Sequence, residues 1–214
     1  MSSNNIGSKF NNQMNNEAAS NSDMDEAPGA KKIHFLFVLS SSRSDGNTAQ
    51  LARYAASFLD SNVQQTWVSL QELDLPEFVD QRHQGNGHYM MPSGNALALL
   101  QATLNATDVV LVTPLYWYSL PTLAKRYLDH WSGWMRVADL QFREKMSGKR
   151  LWNITVLSDE DTSYASTLVS SLELTAGYMQ MKWQGSLLGY GNRPGDIMQH
   201  EPSLISASQY FLQA

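Results

Sequence analysis

The sequence predicts an α/β protein built on a doubly wound, five-stranded parallel sheet with helices on both faces. The first observation is a set of short, near-continuous apolar runs, such as residues 33–39, which are typical of strands buried on both sides of a parallel sheet. The second is that segments of helical period separate these runs, which is the chain order of an α/β sheet. Right-handed crossovers leave few topologies, and we expect the strand order 2-1-3-4-5.

The predicted strands and helices alternate along the chain. The strands are predicted at residues 33–39, 63–70, 108–113, 151–157 and 183–188. The helices are predicted at residues 47–60, 93–105, 164–176 and 204–212, with one more that begins after Ser119. Residues 71–92 have no clear period and contain Gly85, Gly87 and Pro92, so we expect a long loop there.

Residue type also predicts helix ends and inner faces. Ser119 can cap the third helix, with Pro121 in its first turn, where a missing N–H costs little. Gly177 is expected to end the fourth helix. The apolar period predicts inward-facing side chains at Leu97, Leu100 and Leu104 in the second helix and at Leu120, Leu123, Tyr127, Leu128 and Trp131 in the third.

The composition divides the chain into two parts. Residues 1–30 are rich in Asn, Ser and Ala and poor in large apolar side chains, so burial cannot offset their ordering entropy. We therefore expect a disordered tail over residues 1–30, or an arm that becomes ordered on a partner subunit, followed by one domain over residues 31–214.

Several classes of function are excluded or disfavoured. The chain has no cysteine, which excludes disulfides, thiolate metal sites, iron–sulfur clusters and a cysteine nucleophile. A net charge of −5 without a basic cluster disfavours nucleic acid as a partner. No apolar run approaches the roughly 20 residues of a membrane span, and no two of the histidines have metal-ligand spacing. We expect a cytoplasmic protein without a metal site.

The loop after the first strand has the composition of an anion site. It runs from Ser40 to Thr48 and leads directly into a helix, whose first N–H groups are free to bind an anion. The candidate donors to a phosphate are Ser41, Arg43, Asn47 and Thr48. The loop is neither a Walker A loop nor a G-x-G-x-x-G fingerprint, and it could instead be an ordinary loop in which Asn47 or Thr48 caps the helix.

The loop after the third strand is apolar and aromatic. It contains Pro114, Leu115, Tyr116, Trp117 and Tyr118, a wall suited to a flat aromatic ring. The alternative is that these aromatic side chains belong to the core or to a dimer interface. In the order 2-1-3-4-5 the first and third strands are neighbours, so the two loops come together where ligands bind in doubly wound sheets.

Together the two loops resemble those of the NAD(P)H-dependent FMN reductase and quinone reductase family, which are flavodoxin-like flavoproteins. The first resembles the family's G-S-P-R-x-x-G-N-T loop and the second its S-P-x-Y-W-x-x-x-P segment. The resemblance implies a flavodoxin-like fold and an FMN phosphate bound by the first loop, with the side chain of Asp45 directed away from it. It also implies a flavin ring against the second loop, with N–H groups of Trp117 and Tyr118 reaching the ring.

The loops after the last two strands give weaker signals. Ser158, after the fourth strand, is a further candidate for contact with the flavin, and Asp161 or Thr162 is expected to cap the helix that follows. After the fifth strand, Gly189 and Gly191 indicate either a close approach of two chain segments or a turn.

The resemblance implies an oxidoreductase that uses FMN. Hydride would pass from NAD(P)H to FMN and on to a small acceptor, such as a quinone or free flavin, in a ping-pong cycle. No side chain need act as an acid or base, so no catalytic residue is expected, and relatives are commonly homodimers. Two alternatives stay open: a flavodoxin-type electron carrier that does not turn over NAD(P)H, and a flavin-free domain with a regulatory or assembly role.

Overall fold

The computed structural model describes residues 32–212. The predicted tail over residues 1–30 lies outside this range and stays a prediction. Within the described residues, five parallel strands form one sheet in the order 2-1-3-4-5, which confirms the predicted fold class. The strands are β1 His34–Leu39, β2 Gln64–Ser69, β3 Asp108–Val112, β4 Arg150–Leu157 and β5 Lys182–Tyr190.

Helices cover both faces of the sheet. They are α1 Asn47–Ala56, α2 Leu70–Leu73, α3 Gly94–Asn105, α4 Thr122–Trp134, α5 Phe142–Met146, α6 Ser166–Tyr178 and α7 Glu201–Gln209. On one face α1 and the C-terminal segment pack on an aromatic layer that includes Phe35, Phe37 and Trp152. On the other face α3, α4 and α6 cover a core that includes Tyr127 and Leu168. Of the helices described, none is long and apolar enough to cross a membrane.

Several helix ends differ from the sequence-based prediction. The first helix stops at Ala56 rather than at residue 60, because the Ser57 hydroxyl and N–H both bond the carbonyl oxygen of Tyr54. Gly177 lies inside α6 instead of ending it, and the left-handed residue beyond that helix is Gln180. The last helix spans Glu201–Gln209 rather than residues 204–212.

Two short helices were not predicted, and α3 buries a different face from the one that was predicted. α2 forms one turn at the start of the long loop, and α5 fills the connection before β4. In α3 the buried leucines are Leu99 and Leu100, whereas Leu97 and Leu104 are half-buried. Four of its twelve residues are leucine, at positions that do not share one face, so period alone does not select the inward face.

A buried ion pair joins β3 and β4 at the end of the sheet where these strands begin. The Asp108 carboxylate is fully buried and accepts hydrogen bonds from Arg150 Nε at 2.5 Å and Nη2 at 2.8 Å. The indole N–H of Trp152 also donates to it, at 2.7 Å. Several donors therefore compensate the cost of burying this charge.

Candidate functional site

A cavity of about 290 Å³ lies where the carboxyl ends of β1, β3 and β4 meet the loop after β5. This is the point at which the strand order reverses, the usual ligand position in a doubly wound sheet. The cavity is lined by Ser41, Arg43, Gly46, Asn47, Thr48, Pro114, Leu115, Tyr116, Val156, Ser158, Gly191, Asn192 and Pro194.

The loop after β1 presents unpaired backbone donors to this first cavity. Gly46 is the N-cap of α1 and contributes no side-chain cap, so neither Asn47 nor Thr48 caps the helix. Among the described residues, no acceptor bonds the backbone N–H groups of Gly46, Asn47 or Thr48. The Ser41 hydroxyl accepts a hydrogen bond from the Arg43 N–H at 3.0 Å, which holds the loop in a tight turn. Free N–H groups at a helix N-terminus form an anion-binding concavity.

Arg43 brings the positive charge of the first cavity, and Asp45 binds it. Arg43 Nε and Nη2 each donate to Asp45 Oδ1 at 3.2 Å, and both side chains are exposed. Asp45 does not line the cavity. Arg43 therefore lines the cavity while the Asp45 carboxylate partly balances its charge.

The side chain of Asn47 forms two hydrogen bonds with the loop after β5. Its Nδ2 donates to the carbonyl oxygen of Arg193 at 2.8 Å, and its Oδ1 accepts from the N–H of Gly195 at 2.8 Å. The amide thus ties the start of α1 to the loop after β5. Gly191 permits this contact, because a Cβ there would lie 2.9 Å from Asn47 Nδ2.

The loop after β3 forms a two-residue reverse turn with unusual occupants. Tyr116 and Ser119 exchange backbone hydrogen bonds of 3.2 and 3.0 Å, and the residues between them, Trp117 and Tyr118, have φ values of 50° and 61°. Positive φ at both central positions is the type I′ pattern, which strongly favours Asn and Gly. Ser119 is committed to this turn and does not cap α4, whose N-cap is Pro121.

The same turn leaves two adjacent donors free. Neither the Trp117 nor the Tyr118 backbone N–H bonds an acceptor among the described residues. Successive N–H groups in such a turn can converge on one electronegative atom. The Trp117 side chain is 94% exposed and that of Tyr118 55%, so the strained turn holds its aromatic rings away from the core.

A second cavity of about 270 Å³ adjoins the first, and Leu115 and Ser158 line both. Its remaining lining residues come from the loop after β3, the last residue of β4 and the segment that follows β4. They are Trp117, Tyr118, Leu157, Asp159 and Tyr164.

Two carboxylates in the loop after β4 accept hydrogen bonds from the backbone of the same loop. Asp159 Oδ1 accepts from the Asp161 N–H, and Asp161 Oδ1 accepts from the Ser163 N–H, both at 2.9 Å. Hydrogen bonds from Ser163 hold the pKa of the Asp161 carboxyl below its ordinary value. Asp161 is the N-cap of a 3₁₀ turn, Thr162–Ala165, which leads into α6, so the predicted capping position is confirmed.

All ten residues singled out from the sequence line the two cavities. Ser41, Arg43, Asn47, Thr48, Pro114, Tyr116, Trp117, Tyr118, Leu115 and Ser158 are among the lining residues. Sequence reasoning did not select Val156, Asn192, Pro194 or Tyr164 as site residues. These residues lie at the ends of β4 and β5 or one helix turn beyond, a position that indicates closeness to the site. Their residue types did not distinguish them from ordinary loop residues. No group of three or more His, Asp or Glu side chains in residues 32–212 is placed to hold a metal ion.

Comparison with known proteins gives consistent results. Residues 33–211 match the family described as having a flavodoxin-like fold. A curated protein of Bacillus subtilis, YwqN, is 29% identical over 168 residues, which cover 78% of this chain and 90% of YwqN. YwqN carries the provisional name of an NAD(P)H-dependent FMN-containing oxidoreductase.

Solved structures share the architecture. The Trp repressor binding protein of Bacillus subtilis superposes with a TM-score of 0.66 at 25% identity, over 84% of this chain and 99% of that one. The NAD(P)H:quinone oxidoreductase of Methanothermobacter marburgensis gives a TM-score of 0.65 at 14% identity, over 86% of this chain and 98% of that one. At that low identity the second likeness shows the fold alone.

Proposed function

The chain belongs to the family of proteins with a flavodoxin-like fold, and from this premise we propose that it is an FMN-dependent NAD(P)H oxidoreductase that reduces a small acceptor. The observation that carries the proposal is the pair of joined cavities, one with anion donors and one with aromatic walls. The name of YwqN and the family resemblance of both loops support the same activity.

The first cavity fits the phosphate end of FMN. Its donors are the hydroxyl groups of Ser41 and Thr48, the Arg43 guanidinium and the unpaired N–H groups at the start of α1. A phosphate monoester offers several acceptor oxygens and a charge that this helix end favours. Asn47 would act mainly by holding the loop after β5 against α1, rather than by donating to the phosphate.

The loop after β3 fits the flavin ring of FMN. Pro114, Leu115 and Tyr116 supply an apolar wall, and Ser158 stands at the boundary of the two cavities. The free N–H groups of Trp117 and Tyr118 would donate to electronegative atoms on the ring edge. Such donors stabilise a flavin that has gained negative charge, which is the protein's usual contribution to flavin chemistry.

When bound, FMN would accept a hydride from NAD(P)H and release two electrons to a quinone, a free flavin or a similar small acceptor. We propose ping-pong kinetics, in which the oxidised nucleotide leaves before the acceptor binds. The chain's own residues bind and orient, and none is assigned as a catalytic acid or base.

We further propose a homodimer that works in the cytoplasm. The exposed apolar groove between α4 and α6 offers a surface for self-association. The absence of cysteine agrees with a reducing compartment, where NAD(P)H is regenerated.

The test is the visible spectrum of the purified protein after saturation with FMN and desalting, before and after anaerobic addition of NADPH and then NADH. Retained flavin that is bleached by either nucleotide supports the oxidoreductase. Retained flavin that neither nucleotide bleaches would indicate an electron carrier instead. Loss of all flavin on desalting would favour a flavin-free regulatory or assembly domain.

A further inference from the structure

The walls of the second cavity have the composition of a binding site for organic cations. Three aromatic side chains line it, Trp117, Tyr118 and Tyr164, and the last two pack edge to face with ring centroids 5.8 Å apart. The faces of aromatic rings carry partial negative charge and attract cations, with Trp the strongest. The high exposure of Trp117 leaves its ring accessible to a ligand.

The charge around this cavity has one sign. Asp159 is the only charged residue among those that line it within the described part of the chain, and Glu160 and Asp161 follow it on the same exposed loop. Arg43 lines the first cavity and not the second, and its guanidinium group is paired with Asp45. The two cavities therefore differ in the charge of their side chains: Arg43 lines the first, and Asp159 lines the second.

The carboxylates are held in place. Asp159 and Asp161 each accept a backbone hydrogen bond within the loop, so their positions are set by the fold rather than by mobile side chains. Fixed charges at the mouth of a cleft act on an approaching ligand before contact and change its association rate.

We propose that the second cavity selects the electron acceptor by charge: it prefers an aromatic acceptor that carries a positive charge and disfavours an anionic one. This inference rests on the proposed oxidoreductase function. For a quinone acceptor the overall reaction is NAD(P)H + H⁺ + quinone → NAD(P)⁺ + hydroquinone. Two electrons and one proton come from the nucleotide, and the second proton comes from solvent.

The kinetic test uses FMN-loaded protein and three 1,4-naphthoquinones that differ in one substituent: hydrogen, sulfonate or a trimethylammonium group. Because the quinones themselves differ in reduction potential, the measured quantity is the change in the cation-to-anion ratio of kcat/KM between variants. Asp159→Asn with Glu160→Gln is expected to lower this ratio about tenfold at low salt. The effect should shrink at 0.5 M NaCl, where exposed charges are screened.

The matched control is Glu144→Gln on α5 combined with Glu173→Gln on α6, which removes the same two negative charges from residues that line neither cavity. This variant should keep the wild-type ratio. An equal ratio in all three proteins, or a rise in the double variant, would overturn the proposal.

A second readout does not depend on turnover. Calorimetric binding of naphthalene-2-sulfonate and of 2-naphthyltrimethylammonium, both redox-inert, is measured on the purified protein with and without FMN. We expect the cation to bind more tightly than the sulfonate. This preference should be lost in Asp159→Asn with Glu160→Gln. Equal affinities, or a preference for the sulfonate, would refute the inference even if FMN binds and NAD(P)H bleaches it. Loss of FMN on desalting would instead refute the proposed function, and the flavin-free titration would still decide the charge preference.

Discussion

Arg43 and Asp45 have opposite charges at the proposed phosphate end of the site. The guanidinium group lines the first cavity, while the carboxylate that binds it lies outside. Asp45 can orient Arg43, yet it also cancels part of the attraction to a phosphate. The balance between orientation and charge decides how this residue pair contributes to the affinity for FMN.

We expect Arg43→Ala to raise the Kd for FMN about tenfold, which corresponds to about 1.4 kcal/mol of binding free energy. This energy is at the low end of the range for a charge-assisted hydrogen bond, because Arg43 is exposed. Asp45→Asn should lower the Kd, because a carboxylate is removed while one acceptor oxygen stays to orient Arg43. Fluorescence titration of FMN measures both. If Asp45→Asn weakened binding as much as Arg43→Ala, orientation rather than charge would dominate.

The buried Asp108 contrasts with the exposed ion pairs. Its carboxylate binds both Arg150 and Trp152 without contact with solvent, whereas Asp80 and Arg82 form their pair at the surface. Removing one member of a buried pair leaves the other charge poorly compensated, while exposed pairs contribute little.

We therefore expect Asp108→Ala to lower the free energy of unfolding by about 3 kcal/mol, measured by urea denaturation. Arg82→Ala is the control and should leave the free energy of unfolding nearly unchanged, because its ion pair with Asp80 is exposed. Because Asp108 lies at the opposite edge of the sheet from the cavities, the Kd for FMN should not change in folded protein. Equal losses in the two variants would contradict the expected importance of burial.

At the scale of the element, the turn between β3 and α4 has backbone strain. Left-handed backbone costs a residue with a Cβ roughly 1–2 kcal/mol, and both central residues of this turn, Trp117 and Tyr118, incur that cost. Strain of this kind clusters at functional sites, where the surrounding structure maintains it. The gain here is the presentation of two free N–H groups and two aromatic rings to the cavities.

The strain can be measured by comparing Tyr118→Gly with Tyr118→Ala. Both variants remove the ring, but only glycine removes the Cβ, so the glycine variant should be more stable by about 1 kcal/mol. Urea denaturation gives the two free energies of unfolding. If the alanine variant were as stable, the turn would not be strained at Tyr118.

At the scale of the whole molecule, one apolar groove of about 620 Å³ is separate from the two cavities. It lies between α4 and α6, with Leu128 and Met135 on one side and Leu174 and Tyr178 on the other. Leu174 is 74% exposed, which is unusual for a leucine flanked by other apolar side chains. Exposed apolar patches of this kind often mark protein–protein interfaces.

Leu174→Lys should convert the proposed dimer to a monomer in analytical ultracentrifugation, because a charge at the centre of an apolar interface would be desolvated without a partner. Leu212→Lys is the control, since Leu212 is 70% exposed and does not line the groove. A wild-type monomer, or a Leu174→Lys dimer, would contradict assignment of this face as the interface.

Much of this architecture was determined by local patterns in the sequence. The order of strands and helices follows from buried apolar runs and helical period, and handedness then limits the topology. The loop residues of the candidate site were predictable because parallel strands bring their carboxyl ends to one edge. Ser41 and Tyr116, far apart in the chain, line one cavity for this reason.

Other features depend on contacts that only the tertiary structure supplies. The side chain of Asn47 bonds the loop at Arg193 and Gly195, about 150 positions away, so its role could not be inferred from its own loop. Strain at Trp117 and Tyr118 runs against local preference and persists because the fold constrains both ends of the turn. Local patterns determined where the site lies, because period and strand ends are encoded in neighbouring residues. The final pairing of its polar groups was decided by tertiary structure, because each donor takes the acceptor that packing brings within reach.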